Sequence, residues 1–360
     1  MKRRVVSLLV LISLLTLGAC AKEENNSNVT TDDNATTTAD TATDNKTVVD
    51  STTKDDANQL EKISIVLDWT PNTNHTGLYV AQEKGYFADA GLEVDIVQPP
   101  EDGATALVGA GKAEFGIDFQ DSLAASFASN EPVPVTAVAA IIQHNTSGLI
   151  SLKETGIDSP GKLAGHSYAT WDTPIELAII KKAVEDDGGN YNDVNLIHSG
   201  VTDVITALKT NVDAVWVYYA WDGIATVNAG LETNFLKFAD YGNEFDYYTP
   251  VLVANNDFLE NEPDVAKKAL DAIRKGYEYA IDNPDEAADI LLKAAPELDR
   301  DLVVKSQEWL SDQYKSEVVQ WGYIDKNRWD TFYSWLYEND LIEREIPSGY
   351  GFSDEYLPAK

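Results

Sequence analysis

Side chains able to recognise a small molecule gather in one stretch, Asp68-Trp69-Thr70-Pro71-Asn72-Thr73-Asn74-His75-Thr76-Gly77-Leu78-Tyr79. An indole stacks on a flat ring, while carboxamides and an imidazole hydrogen-bond its edge, so Trp69, Asn72, Asn74 and His75 suit a planar polar ligand. A second set, Trp171-Asp172-Thr173-Pro174-Ile175-Glu176, joins an indole and a carboxylate to the free amides of a helix start. A third, Tyr218-Tyr219-Ala220-Trp221-Asp222, offers three rings, and each well-placed stack contributes about 1 kcal/mol beyond burial. Each set also has a purely structural reading. Trp69 can pack on its own lobe while the Asn residues form turns, and Glu176 can be a first-turn acid stabilised by the helix dipole.

Catalytic signatures are missing from the same sequence. The four histidines, His75, His144, His166 and His198, lack the i, i+4 spacing of a helical metal site. There is no Gly-x-Ser-x-Gly elbow, no Walker lysine loop and no dinucleotide glycine fingerprint. The residues therefore predict binding rather than catalysis, with no metal and no cofactor.

The elements that must position these groups alternate between strand and helix. Ile63 to Leu67 reads as a buried strand and Leu78 to Gly85 as a helix, with Thr76 available to cap it. The first set thus lies on a strand-to-helix crossover, at the carboxyl end of a parallel strand, where open α/β sheets bind ligands. Leu92 to Val97 alternates strictly and marks a strand; a helix runs from Glu101 through Val108; Ala113 to Phe119 is a strand with Gln120-Asp121-Ser122 at its carboxyl end. Val133 to Ile142 and Gly148 to Leu152 read as two more strands. A second series follows: strand His166 to Thr170, helix Pro174 to Asp186 capped by Asp172 or Thr173, strand Val194 to Ile197, helix Val201 to Lys209 and strand Val212 to Tyr218. Tyr247 to Ala254 is a last strand, and from Asp264 onward the chain reads as helices, with Trp309, Trp321, Trp329, Trp335 and Tyr337 as packing residues.

The expected fold is α/β with two lobes, each a mostly parallel sheet flanked by helices, and a ligand cleft between them. Residues 61–153 and 247–360 are assigned to the first lobe and 154–246 to the second. The late helices are expected to return to the first lobe, so the backbone crosses at least twice and a hinge results.

Before residue 61 the chain has another character. Met1-Lys2-Arg3-Arg4 followed by the apolar run Val5 to Leu17 reads as an export signal spanning residues 1–19, too short to span a bilayer comfortably. Leu17-Gly18-Ala19-Cys20 has the form of a bacterial lipobox, which predicts cleavage before Cys20 and a lipid on its sulfur; it is the sole cysteine, so no intramolecular disulfide can form. Residues 20–60, rich in Thr, Asp, Asn and Ser, predict a disordered tether. The net charge of −33 becomes −36 once Lys2, Arg3 and Arg4 leave with the signal, which speaks against nucleic acid and anionic lipid as partners.

The run Leu67 to Ala81, with Lys84-Gly85-Tyr86-Phe87 and Ala90-Gly91-Leu92, resembles the pyrimidine-precursor-binding lipoproteins of thiamine salvage. More broadly, it resembles the family that unites them with the eukaryotic thiamine-pyrimidine synthases. The resemblance extends from about Ile63 to the Tyr247 strand. It implies a type II periplasmic binding protein fold, formylaminopyrimidine as ligand, and the permease and ATPase of an ABC importer as partners. It also implies an extracytoplasmic, lipid-anchored monomer that is not an enzyme. In such proteins the pyrimidine is expected between aromatic rings with an acid on its amino edge. That places Trp69, Asn72, Asn74, His75 and Tyr79 at the ligand from the first lobe and Trp171, Glu176, Tyr218, Tyr219 and Trp221 from the second. The synthases carry a cysteine-rich motif, and this chain has no cysteine after Cys20. Gly85-Tyr86-Phe87 is shared with sulfonate- and nitrate-binding proteins, so another flat heterocycle, riboflavin-like included, or a sulfonate or nitrate stays open as ligand, as does a synthase-like enzyme.

Overall fold

Ten strands assemble into two sheets in a computed structural model that describes residues 60–358. The expected signal, Cys20 and tether lie outside the described residues. In the first lobe, β1 (Glu61–Val66), β2 (Leu92–Val97), β3 (Phe115–Asp118), β4 (Val135–Ala140) and β10 (Val251–Asn255) take the order β2-β1-β3-β10-β4. In the second, β5 (Ser147–Leu152), β6 (Ser167–Thr170), β7 (Asn195–His198), β8 (Ala214–Tyr218) and β9 (Thr233–Lys237) take the order β7-β6-β8-β5-β9. Ile63, Ile65 and Val66 are all buried, as a strand covered on both faces requires, whereas β2 at the edge keeps its alternation.

Each sheet is mostly parallel, with four strands in one direction and one reversed. β1 runs parallel to β2 and β3, and β6 to β7 and β8, but β10 is antiparallel to β3 and β4, and β5 is antiparallel to β8 and β9. Each central antiparallel strand is the one by which the chain enters from the other lobe: β5 after the first crossing and β10 after the second. This corrects the expected boundary, because Ser147–Leu152 belongs to the second sheet and the first crossing lies between β4 and β5. β9 is an addition; in Thr-Asn-Phe-Leu-Lys only Leu236 is buried, so no apolar run marked it.

The two crossings are tied together. The His144 ring bonds Asp246 through Nδ1 and Glu317 through Nε2, each at 2.8 Å, and Arg328 adds Asp246 at 3.3 Å and Glu317 at 3.2 Å. The hydrogen bond to Asp246 raises the His144 pKa against the opposing effect of burial.

The late helices do more than cover the first lobe. Helix Pro263–Asp282 lies on helix Thr76–Glu83, with Leu270, Ile273 and Tyr277 in the same core as Ile65 and Leu78. Helix Lys326–Glu338 bridges the lobes, since Trp329, Phe332 and Trp335 share a core with Val66 and Phe127 of the first and with Tyr168 and Ile180 of the second. Helix Arg300–Ser311 reaches the second lobe as well, where Trp309 packs on Tyr219 at 5.1 Å.

Candidate functional site

The loop after β1 is held from beneath. Asn72 starts the turn by accepting the Asn74 amide at 2.9 Å, while its own N–H is donated to His75 Nδ1 at 3.2 Å. With Nδ1 an acceptor, the His75 proton sits on Nε2, which donates to Asp68 at 2.6 Å. Two tyrosines from the late helices reach in: Tyr277 donates to the Asn74 carbonyl at 2.7 Å and Tyr314 to the Thr73 carbonyl at 2.5 Å. Thr73 and Ser306 share a hydroxyl bond of 2.6 Å. His75 is fully buried, so it and Asn72 build the loop, and Thr76 lies inside its helix instead of capping it. What this support presents to solvent is Trp69, 66% exposed.

The loop after β6 repeats the plan. Trp171 is 54% exposed, and its ring lies on Gly200, where an added Cβ would come within 3.1 Å of the indole. Asp172, at φ +62°, adopts a left-handed backbone that costs a non-glycine residue about 1 kcal/mol or more. Its carboxylate is clasped by His198 Nδ1 at 2.5 Å and its amide by Thr170 Oγ1 at 2.9 Å. Glu176 is turned inward: one oxygen accepts the Tyr168 hydroxyl at 2.5 Å, and the carboxylate takes the Trp171 N–H at 3.0 and 3.1 Å and the Thr173 N–H at 3.4 Å. Thr173 completes a capping box by accepting the Glu176 amide at 3.3 Å. These contacts give Glu176 the structural alternative, and they place the acid expected on a pyrimidine edge in the lobe wall.

The aromatic set after β8 divides. Tyr218 stacks on Phe119 at 5.8 Å and 17°, which joins the strand ends of the two lobes. Tyr219 packs instead on Phe235 at 4.8 Å and on Trp309, and Trp221 and Tyr79 lie against the small core of Ala288, Leu291 and Val303. Tyr219 and Trp221 thus pack where the second lobe meets the late helices, and Tyr79 packs where the first lobe meets them. Among the described residues the Asn74 carboxamide takes no protein partner, its backbone alone being bonded, to Asn72 and Tyr277.

Four residues at the strand ends were not singled out from sequence as ligand contacts. Asp118 closes β3, with Thr105 donating to one oxygen and the Phe119 amide to the other at 2.8 Å; burial raises its pKa. Phe119 is the partner of Tyr218. Asp121 opens helix Gln120–Phe127, and burial, reinforced by the Asp118 charge, pushes its pKa up to about 6. Asp222, in the turn after β8, is raised to about 6 by burial alone. Burial and then the Asp121 charge push the Tyr218 hydroxyl upward, so that carboxylate lies within electrostatic reach of the opposite lobe. The only available signal was position, an acid just beyond the carboxyl end of a strand. Among the described residues no cluster of His, Cys, Asp and Glu is arranged to hold a metal ion. A cavity of about 570 Å³ between helices Pro174–Asp186 and Lys326–Glu338, lined by Lys182, Glu244, Asp330 and Trp335, contains none of these residues.

A family model described as NMT1/THI5 like matches residues 72–287, from just after Trp69 to the first turn of helix Pro284–Ala294. The chain belongs to the NMT1/THI5-like family. Within that family it is 31% identical over 84% of its length to the formylaminopyrimidine-binding protein of Halalkalibacterium halodurans, of which the match covers 92%. It is 26% identical over 69% of its length to a 4-amino-5-hydroxymethyl-2-methylpyrimidine phosphate synthase of Saccharomyces cerevisiae, of which the match covers 75%. Among solved structures, the alkanesulfonate-binding protein SsuA of Xanthomonas axonopodis pv. citri superposes with a TM-score of 0.61 at 8% identity, covering 82% of this chain and 99% of that one. The aliphatic sulphonate binding protein SsuA of Escherichia coli gives 0.62 at 14%, covering 79% and 95%. This member of the NMT1/THI5-like family therefore has the two-lobed periplasmic binding protein fold.

Proposed function

We propose that the protein is the extracytoplasmic substrate-binding component of an ABC importer, anchored by a lipid on Cys20, and that it binds N-formyl-4-amino-5-aminomethyl-2-methylpyrimidine for thiamine synthesis. The observation that carries this reading is the 31% identity spread over 84% of the chain to a protein named for that ligand. The exposed indoles of Trp69 and Trp171, one on each lobe, support a flat ligand. The sulfonate-binding neighbours, at 8% and 14% identity, speak for the fold alone.

Thermal-shift titration tests the ligand class. A ligand that binds only the folded state stabilises it by about 2.7 kcal/mol at a hundredfold excess over Kd. The formylaminopyrimidine is expected to raise the melting temperature by several degrees, and alkanesulfonates and nitrate to leave it unchanged. A shift with a sulfonate and none with any aminopyrimidine overturns the assignment. The yeast relatives named as synthases favour one second reading, an enzyme. Chromatography of the incubated ligand separates the two, since a binding protein returns it unaltered. For the anchor, Cys20→Ala is expected to release the protein into the medium or leave its precursor uncleaved; a processed variant that still partitions into detergent contradicts it.

A further inference from the structure

The segments that join the lobes meet in a compact set of charges. Asp246 lies midway along the second crossing, between Glu244, which pairs with Lys182 of the second lobe at 3.4 Å, and Tyr248, whose amide bonds Gln120 of the first at 2.9 Å. From the first crossing, Asn145 donates its amide to Asp246 at 3.1 Å and its carboxamide to the Phe245 carbonyl at 2.8 Å, so the crossings are bonded side by side. Glu317 comes from a segment fixed to the first lobe, where Gly322 accepts the Ala140 amide at 2.9 Å and Trp321 lies in the core of Ile65. His144 stands between them. Its two ring nitrogens face Asp246 and Glu317, each at 2.8 Å, and since a carboxylate only accepts, both nitrogens donate and the ring is an imidazolium. The other histidines differ, because His75 takes a main-chain amide on Nδ1, and His166 and His198 meet a carboxylate through Nδ1 alone. Arg328 spans the same two acids, donates to the Gln143 carbonyl and lies over the Tyr248 ring at 5.2 Å. Two cations thus balance two anions, and Asp246, Glu317 and Arg328 are the charged groups that act on the ring.

We propose that His144 is a proton-operated latch on the hinge: charged, it clips both crossings to the first lobe and resists closure; neutral, it lets go of one carboxylate and the lobes close more readily. The latch belongs to the crossings and acts for any ligand that closes the cleft. A neutral imidazole donates from one nitrogen only, so the other turns a lone pair toward a carboxylate and that contact becomes repulsive. Arg328 then faces both acids alone, and the cluster gains a negative charge in a chain already at −33. Domain closure is absorbed by a few backbone torsions in the connecting segments, which is where the clip acts. The indoles of Trp69 and Trp171 are exposed while the clip is made, so the clipped conformation leaves them uncovered. The hydrogen bond to Asp246 holds the His144 proton against burial, and the charge of Asp246 and the bond to Glu317 add to it, so the latch opens above the ordinary imidazole value of about 6.5. Ligand affinity is therefore expected to rise with pH through a residue outside the cleft.

Calorimetric titration with the formylaminopyrimidine at about pH 7 and about pH 9 tests this, and wild type is expected to bind about fivefold more tightly at the higher pH. His144→Gln, uncharged at both, is expected to bind at either pH as wild type does at the higher one. Glu317→Gln removes one arm of the clip at an exposed carboxylate and is expected to do the same; it is the second variant should His144→Gln fail to fold. A wild-type affinity that does not rise with pH overturns the latch, and so does a rise that both variants keep. If wild type binds the ligand at neither pH, the ligand assignment falls and the latch is read without ligand, from the distance distribution between two spin labels, one on each lobe. That distribution is expected to widen between the two pH values in wild type and to be wide at both in His144→Gln. A width that neither pH nor the substitution changes overturns the proposal.

Discussion

At the scale of single residues, the two acids Glu176 and Asp121 exchange the properties their positions suggest. Both open helices at strand ends, but Glu176 accepts one hydroxyl and two amides, whereas Asp121 keeps a buried oxygen unpaired. Glu176→Ala therefore strands the Tyr168 hydroxyl and the Trp171 amide, and a loss of about 2–4 kcal/mol of unliganded stability is expected by urea denaturation, with Glu176→Gln losing less. Unchanged stability with weakened ligand binding would instead return Glu176 to the site. The buried acids Asp121 and Asp222 give a pH signature. Asp121 and Asp222 are raised to about 6 from an ordinary value of 3.8, so the folded state binds their protons more tightly than the unfolded chain. Their contribution is full below the unfolded value and is lost as pH rises through about 6. Unliganded stability is thus expected to fall between pH 5 and 7, and Asp222→Asn to flatten that slope; scanning calorimetry across the range checks it. Residue type marked Trp69 and Trp171 as candidate stacking groups, but it carried no information on which polar side chains turn inward. His75 and Asn72 looked like ligand contacts because a buried loop-building histidine and a ligand histidine have the same sequence.

At the scale of elements, the recognition loop depends on how closely two helices approach. A Cβ on Gly77 would meet the Tyr277 ring at 2.3 Å, and one on Gly276 would lie 2.0 Å from the Gly77 carbonyl. This contact sets helix Pro263–Asp282 where Tyr277 can reach the Asn74 carbonyl. Gly77→Ala is expected to cost about 1–3 kcal/mol by overpacking and to weaken ligand binding further by displacing Trp69; urea denaturation with calorimetry measures both, and a variant as stable as wild type contradicts the close packing. Elements with strong local signals were legible. Leu92–Val97 follows its alternation, and Pro174–Asp186 follows its proline and Thr173 cap. The sheet that each strand joins was not, because β5 and β10 are placed by chain crossings, which leave no mark in an apolar run. The single reversed strand in each sheet left no mark for the same reason.

At the scale of the molecule, two lobes and two crossings follow from the alternation of strand and helix, whereas the bridging role of the late helices does not. Trp329 and Trp335 have helical spacing that says only that they are buried; their cores reach both lobes because the helix lies across the crossings. The His144, Asp246, Glu317 and Arg328 cluster links those crossings, so the lobes are expected to move about them as rigid bodies.

The uneven exposure of the tryptophans has an optical consequence. Trp321 and Trp329 are sealed in cores, while the indoles of Trp69 and Trp171 stand in water, where emission is red and collisional quenchers reach them. A neutral quencher such as acrylamide suits a chain of charge −33, because anions are repelled from it. Ligand-driven closure should then shift the spectrum to the blue and lower the quenching constant. Trp69→Phe and Trp171→Phe together should abolish the effect. A quenchable fraction unchanged by saturating ligand would mean that neither ring is covered when the protein is loaded.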